Sequence, residues 1–180
     1  GKSISISNAS TCVIAIALRT NYNYQDGTLT SSDVKEHAHS DLDRCANKAY
    51  AVSKEQSSRI YQTYFNRCRL SMPAQNASAI DGLTTMQRLI NFAKDETDVQ
   101  LPVLYFNFGR YLLISSSRQG LLPANLQGLW AEEYQTPWNA DYHMNINIQM
   151  NYWPAEMTNL SDLAQPLFQF TNNLIANGPK

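Results

Sequence analysis

The sequence has no surplus of either charge, since 14 Lys and Arg stand against 15 Asp and Glu, for a formal net charge of −1 and a pI near 6.3. Its cations are scattered rather than striped along one face, which excludes the basic footprint of a nucleic-acid binder. Cysteine is scarce. Cys12, Cys45 and Cys68 are widely spaced, with no C-x-x-C pair to grip zinc or exchange thiols, and they read as free, mostly buried thiols. No apolar run approaches the ~20 residues that cross a bilayer, and no basic-then-apolar leader opens the chain, so membrane insertion is not implied. There is no repeat of fixed period and no low-complexity tract. What remains is a chain of 180 residues with 43% apolar content, the composition of an ordinary soluble globular protein.

Along the chain, Thr11 to Thr20 has a strand's length and its β-branched, apolar make-up, and runs into the turn-rich stretch Asn21 to Gly27. A strand with no hairpin partner ahead of a helical remainder reads as the last strand of an upstream β domain. Asp33 to Cys68 is helical in pattern, with Ser53 and Gln56 spaced as a capping box that opens the second helix of a pair. After a loop at Pro73 to Ala79, Met86, Leu89, Ile90 and Ala93 recur at helical spacing behind a second capping box, Thr84 and Gln87. The next helix, Asp98 to Ser116, is apolar nearly all round and is expected to be buried on several sides. A loop of about 25 residues follows from Arg118 to Tyr142, a length that is usually functional. Two further helices are predicted, near Ile148 to Met157 and Ser161 to Ala176, the second with Ser161 as N-cap and Gly178-Pro179 as its stop.

From His143 to Asn151 polar and apolar residues alternate strictly. An extended backbone there points His143, Asn145 and Asn147 to one side and Met144, Ile146 and Ile148 to the other. Carboxamides donate and accept, so two together can hold a water and orient a carboxylate without adding charge. The competing reading is that N-x-N commonly caps a helix or turn. Spacing alone does not decide between them.

The longer wording carries more. Gly109-Arg-Tyr-Leu-Leu-Ile-Ser-Ser-Ser-Arg118, Leu122-Pro-Ala-Asn-Leu-Gln-Gly-Leu-Trp130, Thr136-Pro-Trp138 and Asn145-Ile-Asn-Ile-Gln-Met-Asn-Tyr-Trp-Pro-Ala-Glu156 occur in order. This resembles glycoside hydrolase family 95, strongly from Phe106 to Leu167 and more weakly before. The resemblance implies a mostly α chain made of three parts: residues 1–25 as the end of an upstream β domain, 26–80 as a helical linker, and 81–180 as the first helices of an incomplete (α/α)6 barrel. It implies an inverting hydrolase that removes terminal α-L-fucose or α-L-galactose from glycans. A Glu protonates the leaving oxygen and an Asp activates water, both well downstream of the present residues. On that resemblance Asn145 and Asn147 position the water and its Asp base, and His143 contacts the sugar. No metal or organic cofactor is implied. The implied partners are a fucosylated glycan and the remainder of the same chain, and the implied location is the periplasm or exterior of a bacterium.

Other residues are weighed beside these. Among the tryptophans, Trp138 in the long loop is the candidate to stack on a sugar, whereas Trp153 reads as core. Asp141, Glu132, Glu133 and Glu156 lie near the motif but read as solvated or structural rather than as a catalytic pair. His37 and His39 face apart on a helix and read as solvated. Ser115 to Ser117 reads as a helix terminus rather than a nucleophile. Asn8, Asn76 and Asn159 open glycosylation sequons, which a bacterial origin makes void. The alternative from another class is a noncatalytic helical module that binds carbohydrate or protein through its Trp-rich loop, and freedom from large exposed apolar surface would favour it.

Overall fold

A computed structural model describes residues 3–23, 26–30, 33–73 and 80–178, and it divides the chain into two units, residues 1–59 and 60–180. The expected loop at Pro73 to Ala79 falls almost wholly outside the described residues, as do Asn76 and Pro179.

In the first unit a small antiparallel hairpin pairs β1 (Tyr22–Asn23) with β2 (Thr28–Leu29), Tyr22 opposite Leu29. Gly27 turns it in the left-handed region at φ 73°, donating its N–H to Asn23 O at 2.9 Å. Thr11 to Thr20 has the composition of a strand but makes no ladder bond among the described residues. Helix α1 (Val34–Ala46) starts at Asp33, whose carboxylate accepts from the Lys35 and Glu36 N–H groups. Asp41 on α1 pairs with Arg19 at 2.6 Å and with Arg44, and these hydrogen bonds, Arg19's first, hold its carboxyl down at about 2. His37 and His39 lie exposed on the same helix. Helix α2 (Tyr50–Phe65) begins before Ser53, whose N–H already bonds Ala49 O at 3.1 Å. The Ser53–Gln56 capping box is therefore not formed, because both residues lie within the helix.

The second unit opens with the end of α2 and contains α3 (Thr85–Asp95), α4 (Gln100–Ser116), α5 (Asn147–Tyr152), α6 (Pro154–Met157) and α7 (Gln165–Asn177), with short 3-10 segments at Pro137–Ala140 and Ser161–Ala164. The predominance of helix is as expected. The Thr84–Gln87 capping box stands, each side chain bonded to the other residue's backbone N–H. Asp98 joins α3 to α4: it accepts both guanidinium arms of Arg88, at 2.7 and 3.1 Å, and the N–H groups of Gln100 and Leu101. Arg88 holds the Asp98 carboxyl below the usual carboxylate range.

Helix α4 buries Leu101, Arg110, Leu113 and Ile114, while Leu104, Tyr105, Phe108 and Tyr111 on other faces are exposed among the described residues. It is thus covered on one side, not several. Its end packs into the core with Ala124, Ile148, Tyr152, Ala155, Leu160, Leu163 and Ala164, against which Tyr61, Tyr64 and Phe65 from α2 lie. Burying each large apolar side chain in such a core stabilises by roughly 1.5–3 kcal/mol. Two arginines tie α2 to it. Arg110, only 1% exposed, donates to Phe65 O at 2.7 Å and stacks on the Phe65 ring, and Arg67 forms a two-pronged pair with Asp162.

Several expectations give way here. The helix predicted over Ile148 to Met157 is two short helices, because Pro154 has no N–H to continue the ladder of α5 and instead opens α6. Ser161 does not cap; its hydroxyl donates to Glu156 Oε2 at 2.6 Å. Trp153 is 60% exposed rather than core, since Ile148 and Tyr152 take the buried stripe of α5 at four-residue spacing. Cys12 and Cys45 are exposed and Cys68 is half-buried, so the thiols are free but not mostly buried. Among the described residues no helix is long and apolar enough to cross a membrane.

Candidate functional site

The long loop after α4 is fastened to the core by one buried tyrosine. Tyr152 Oη accepts the Ala124 N–H at 2.8 Å and shares a 2.8 Å bond with Ser117 Oγ, which in turn donates to Leu163 O at 2.8 Å. Because the serine proton is spent on Leu163, the tyrosine proton must serve Ser117. The hydroxyls of Tyr152 and Ser117 and the Ala124 N–H are thereby all satisfied. Burial pushes the Tyr152 hydroxyl up from its ordinary pKa, against the opposing pull of these bonds. Next to it, Asn151 Nδ2 donates to Asn125 O at 3.0 Å. The turn that follows, Asn125 to Gly128, closes through Gly128 N–H to Asn125 O at 3.2 Å. Gly128 sits at φ 58°, and a Cβ there would lie 2.8 Å from the Trp130 ring. Only glycine fits without displacement.

This turn holds a second one. Leu126 N–H donates to Asp141 O at 3.3 Å and Gln127 Nε2 donates to Pro137 O at 2.9 Å. Between those two anchors Trp138, Asn139 and Ala140 all have left-handed backbones, at φ 58°, 55° and 55°, and His143 follows at 48°. Non-glycine residues in that region cost about 1–3 kcal/mol each and persist only where surroundings over-determine them. Trp138 is consequently thrust outward, 73% exposed, with its ring edge-to-face against the His143 imidazole at 5.8 Å.

The extended backbone expected from His143 to Asn151 is absent. His143 is left-handed, residues 144–146 form turns, and α5 begins at Asn147. Ile148 and Tyr152 at helical spacing, both buried, outweigh the alternation; Met144 and Ile146, assigned to a common anchoring face, are each 42% exposed. Asn145 and Asn147 nevertheless lie on the surface directly after His143, and neither carboxamide has a hydrogen-bond partner among the described residues. His143 is half-buried. Its Nε2 is out of solvent without a hydrogen bond, 3.9 Å from Asp141 Oδ2. A ring nitrogen left unsatisfied out of solvent costs about 1–3 kcal/mol.

Of the acids near the motif, Asp141, Glu132, Glu133 and Glu156 are all exposed. Among the described residues there is no group of three or more His, Cys, Asp or Glu side chains that could hold a metal ion. Sequence reasoning brought forward Trp138, His143, Asn145 and Asn147, which the fold gathers in one loop and helix start. It missed Ser117, Gln127, Asn151 and Tyr152. Tyr152 had a signal, since a tyrosine four residues from a buried Ile needs a partner for its hydroxyl.

Comparison with known proteins agrees with the motif wording. The chain is 45% identical over 125 residues, 69% of its length, to the probable alpha-fucosidase A of Aspergillus niger, covering 15% of that protein. It is 36% identical to alpha-L-fucosidase 2 of Arabidopsis thaliana, over 100% of this chain and 22% of that protein. It is 31% identical to the probable alpha-fucosidase A of Aspergillus oryzae, over 93% of this chain and 24% of that protein. The chain thus spans about a quarter or less of the relatives it matches. These relatives are fungal and plant proteins and give no support to a bacterial origin. Residues 49–180 match the glycosyl hydrolase family 95 catalytic domain, and the chain belongs to that family.

Proposed function

We propose that this chain is the water-positioning part of an inverting glycoside hydrolase that releases terminal α-L-fucose, or the related α-L-galactose, from glycans. The observation that carries the reading is the pair of exposed carboxamides, Asn145 and Asn147, beside a histidine Nε2, none of the three with a hydrogen-bond partner among the described residues. Asn147 opens α5 and Asn145 lies in the turn just before it, so both amides are set by the backbone that follows the anchored segment and can orient a water and its base as charge develops. Trp138 offers an apolar ring of the kind that stacks on the C–H face of a sugar, and His143 a hydrogen-bonding nitrogen beside it.

The proton donor and the base are carboxylates supplied by later parts of the protein, as the family resemblance implies; none of the exposed acids around the loop takes either role. A periplasmic or secreted location belongs to this reading through the same resemblance. The noncatalytic-module alternative is not favoured, because Tyr105, Phe108 and Leu104 leave a broad apolar face of α4 exposed among the described residues.

Two assays test the proposal together. The isolated 180-residue chain should not hydrolyse 4-nitrophenyl α-L-fucoside above background. The full-length protein should release β-L-fucose as the first-formed anomer, followed by proton NMR before mutarotation. First release of the α anomer would overturn the inverting assignment, and turnover by the isolated chain that is lost in Asp141→Asn or Glu156→Gln would overturn the placing of the carboxylates.

A further inference from the structure

We infer that Gln127 is a positioning residue for the sugar site, holding Trp138 and through it His143 in place by a single side-chain hydrogen bond. The inference rests on the reading of Trp138 and His143 as sugar contacts. Three consecutive left-handed residues, Trp138 to Ala140, cannot hold themselves. Within the turn, Asn139 N–H donates to Thr136 O and Asp141 N–H to Trp138 O, at 3.0 and 3.1 Å, but these bonds move with the segment and do not fix it to anything. Fixation comes from outside through two anchors, one on each flank. The downstream anchor is backbone to backbone, Leu126 N–H to Asp141 O, and any residue at 126 other than proline supplies it. The upstream anchor is the Gln127 carboxamide on Pro137 O, and it depends on the identity of the side chain.

The orientation of that carboxamide is determined by chemistry. A carbonyl oxygen faces it, so the NH2 end must point to Pro137 and the Oε1 end away. Oε1 is then out of solvent with no hydrogen-bond partner. A half-buried amide that leaves its acceptor unsatisfied is expensive for a surface loop, and a shorter or apolar residue avoids that cost. Its presence is explained by the donor end. Glutamine has the reach to span from the Asn125–Gly128 turn, which Asn151 and Tyr152 lock to the core, across to Pro137, the residue immediately before the strained ones. Hydrogen bonds and the short stretches of backbone between them thereby connect the core to Pro137, the residue bonded to Trp138.

The test uses the full-length protein labelled with 5-fluorotryptophan, with the Trp138 fluorine resonance assigned by Trp138→Phe. Gln127→Glu keeps the shape but loses the donor at neutral pH, and Gln127→Met keeps the reach and loses it at every pH. Thermal unfolding verifies that each variant folds, and Gln127→Met carries the test if Gln127→Glu does not. Both should shift or broaden the Trp138 resonance and raise KM for an α-L-fucoside roughly three- to tenfold, with kcat changed much less. Acidification should reverse the effect in Gln127→Glu alone, because the protonated carboxyl can again donate to Pro137 O. A Trp138 resonance unmoved by both variants overturns the inference. A resonance that moves with acid reversal while KM stays constant supports the positioning role and overturns the assignment of Trp138 as a sugar contact.

Discussion

The hub around Tyr152 and the loop from Trp138 to Asn147 adjoin in the same unit, yet they treat polar groups in opposite ways. In the hub every hydroxyl and N–H points inward to a partner, and Ser117 is fully buried. In the loop the carboxamides of Asn145 and Asn147 and the Nε2 of His143 have no hydrogen-bond partner among the described residues, and four residues adopt the left-handed backbone. Satisfied polar groups make a scaffold, and unsatisfied ones on that scaffold are free to bind something else. Stability and chemistry should therefore respond to different substitutions.

The largest effect is expected at the asparagines. In the full-length protein Asn145→Ala or Asn147→Ala should lower kcat by roughly 10²–10⁴ with a smaller change in KM. The double substitution should cost less than the product of the single effects, because the pair acts as one unit. His143→Ala should instead change KM and the preference between fucose and the bulkier L-galactose. Kinetics on two substrates separate these outcomes, and kcat within about twofold of the parent for both asparagine variants would make their exposure incidental.

On the scaffold side, Tyr152→Phe strands the Ala124 N–H and removes the donor to Ser117, at a cost of about 2–3 kcal/mol by denaturant unfolding. Fold and loop should otherwise survive, with kcat much less affected than by the asparagine changes. A comparable loss of kcat with no loss of stability would reverse the roles assigned to hub and loop.

Next in size is the Arg88–Asp98 pair, far from both regions along the chain and a reference for ordinary electrostatics. Asp98 has its pKa lowered by Arg88, so its contribution is present above the ordinary carboxylate pKa and is lost as pH falls through the depressed folded value. Asp98→Asn should cost about 1–2 kcal/mol at neutral pH and flatten the acid limb of the stability profile. An acid limb identical to the parent's would show that the pair contributes nothing.

The smallest effect has the opposite sign. Ala140→Gly relieves one left-handed residue at φ 55° and should stabilise by up to about 1 kcal/mol in thermal unfolding. If it destabilises instead, the loop is not strained as described.

The sequence made the helical class legible because apolar spacing and the Thr84–Gln87 capping box are local signals. The site was legible in part for a different reason. Motif wording led to Asn145, Asn147 and His143, but alternation suggested the wrong backbone for them, since the helical pair Ile148 and Tyr152 decides where α5 begins. The faces of α4 could not be apportioned, because an all-round apolar helix does not say which side its neighbours cover. Gln127 and Ser117 were illegible for a further reason. Their partners, Pro137, Leu163 and Tyr152, lie 10, 46 and 35 residues away, and no local pattern encodes such pairings.

The most direct test of the central claim is a crystal structure of the full-length protein with L-fucose. A sugar hydroxyl is expected in hydrogen-bond contact with His143 Nε2, the ring against Trp138, and the Asn145 and Asn147 carboxamides on a water beneath the anomeric carbon. Fucose bound elsewhere, with His143 Nε2 still unpartnered and both asparagines away from the sugar, would contradict it.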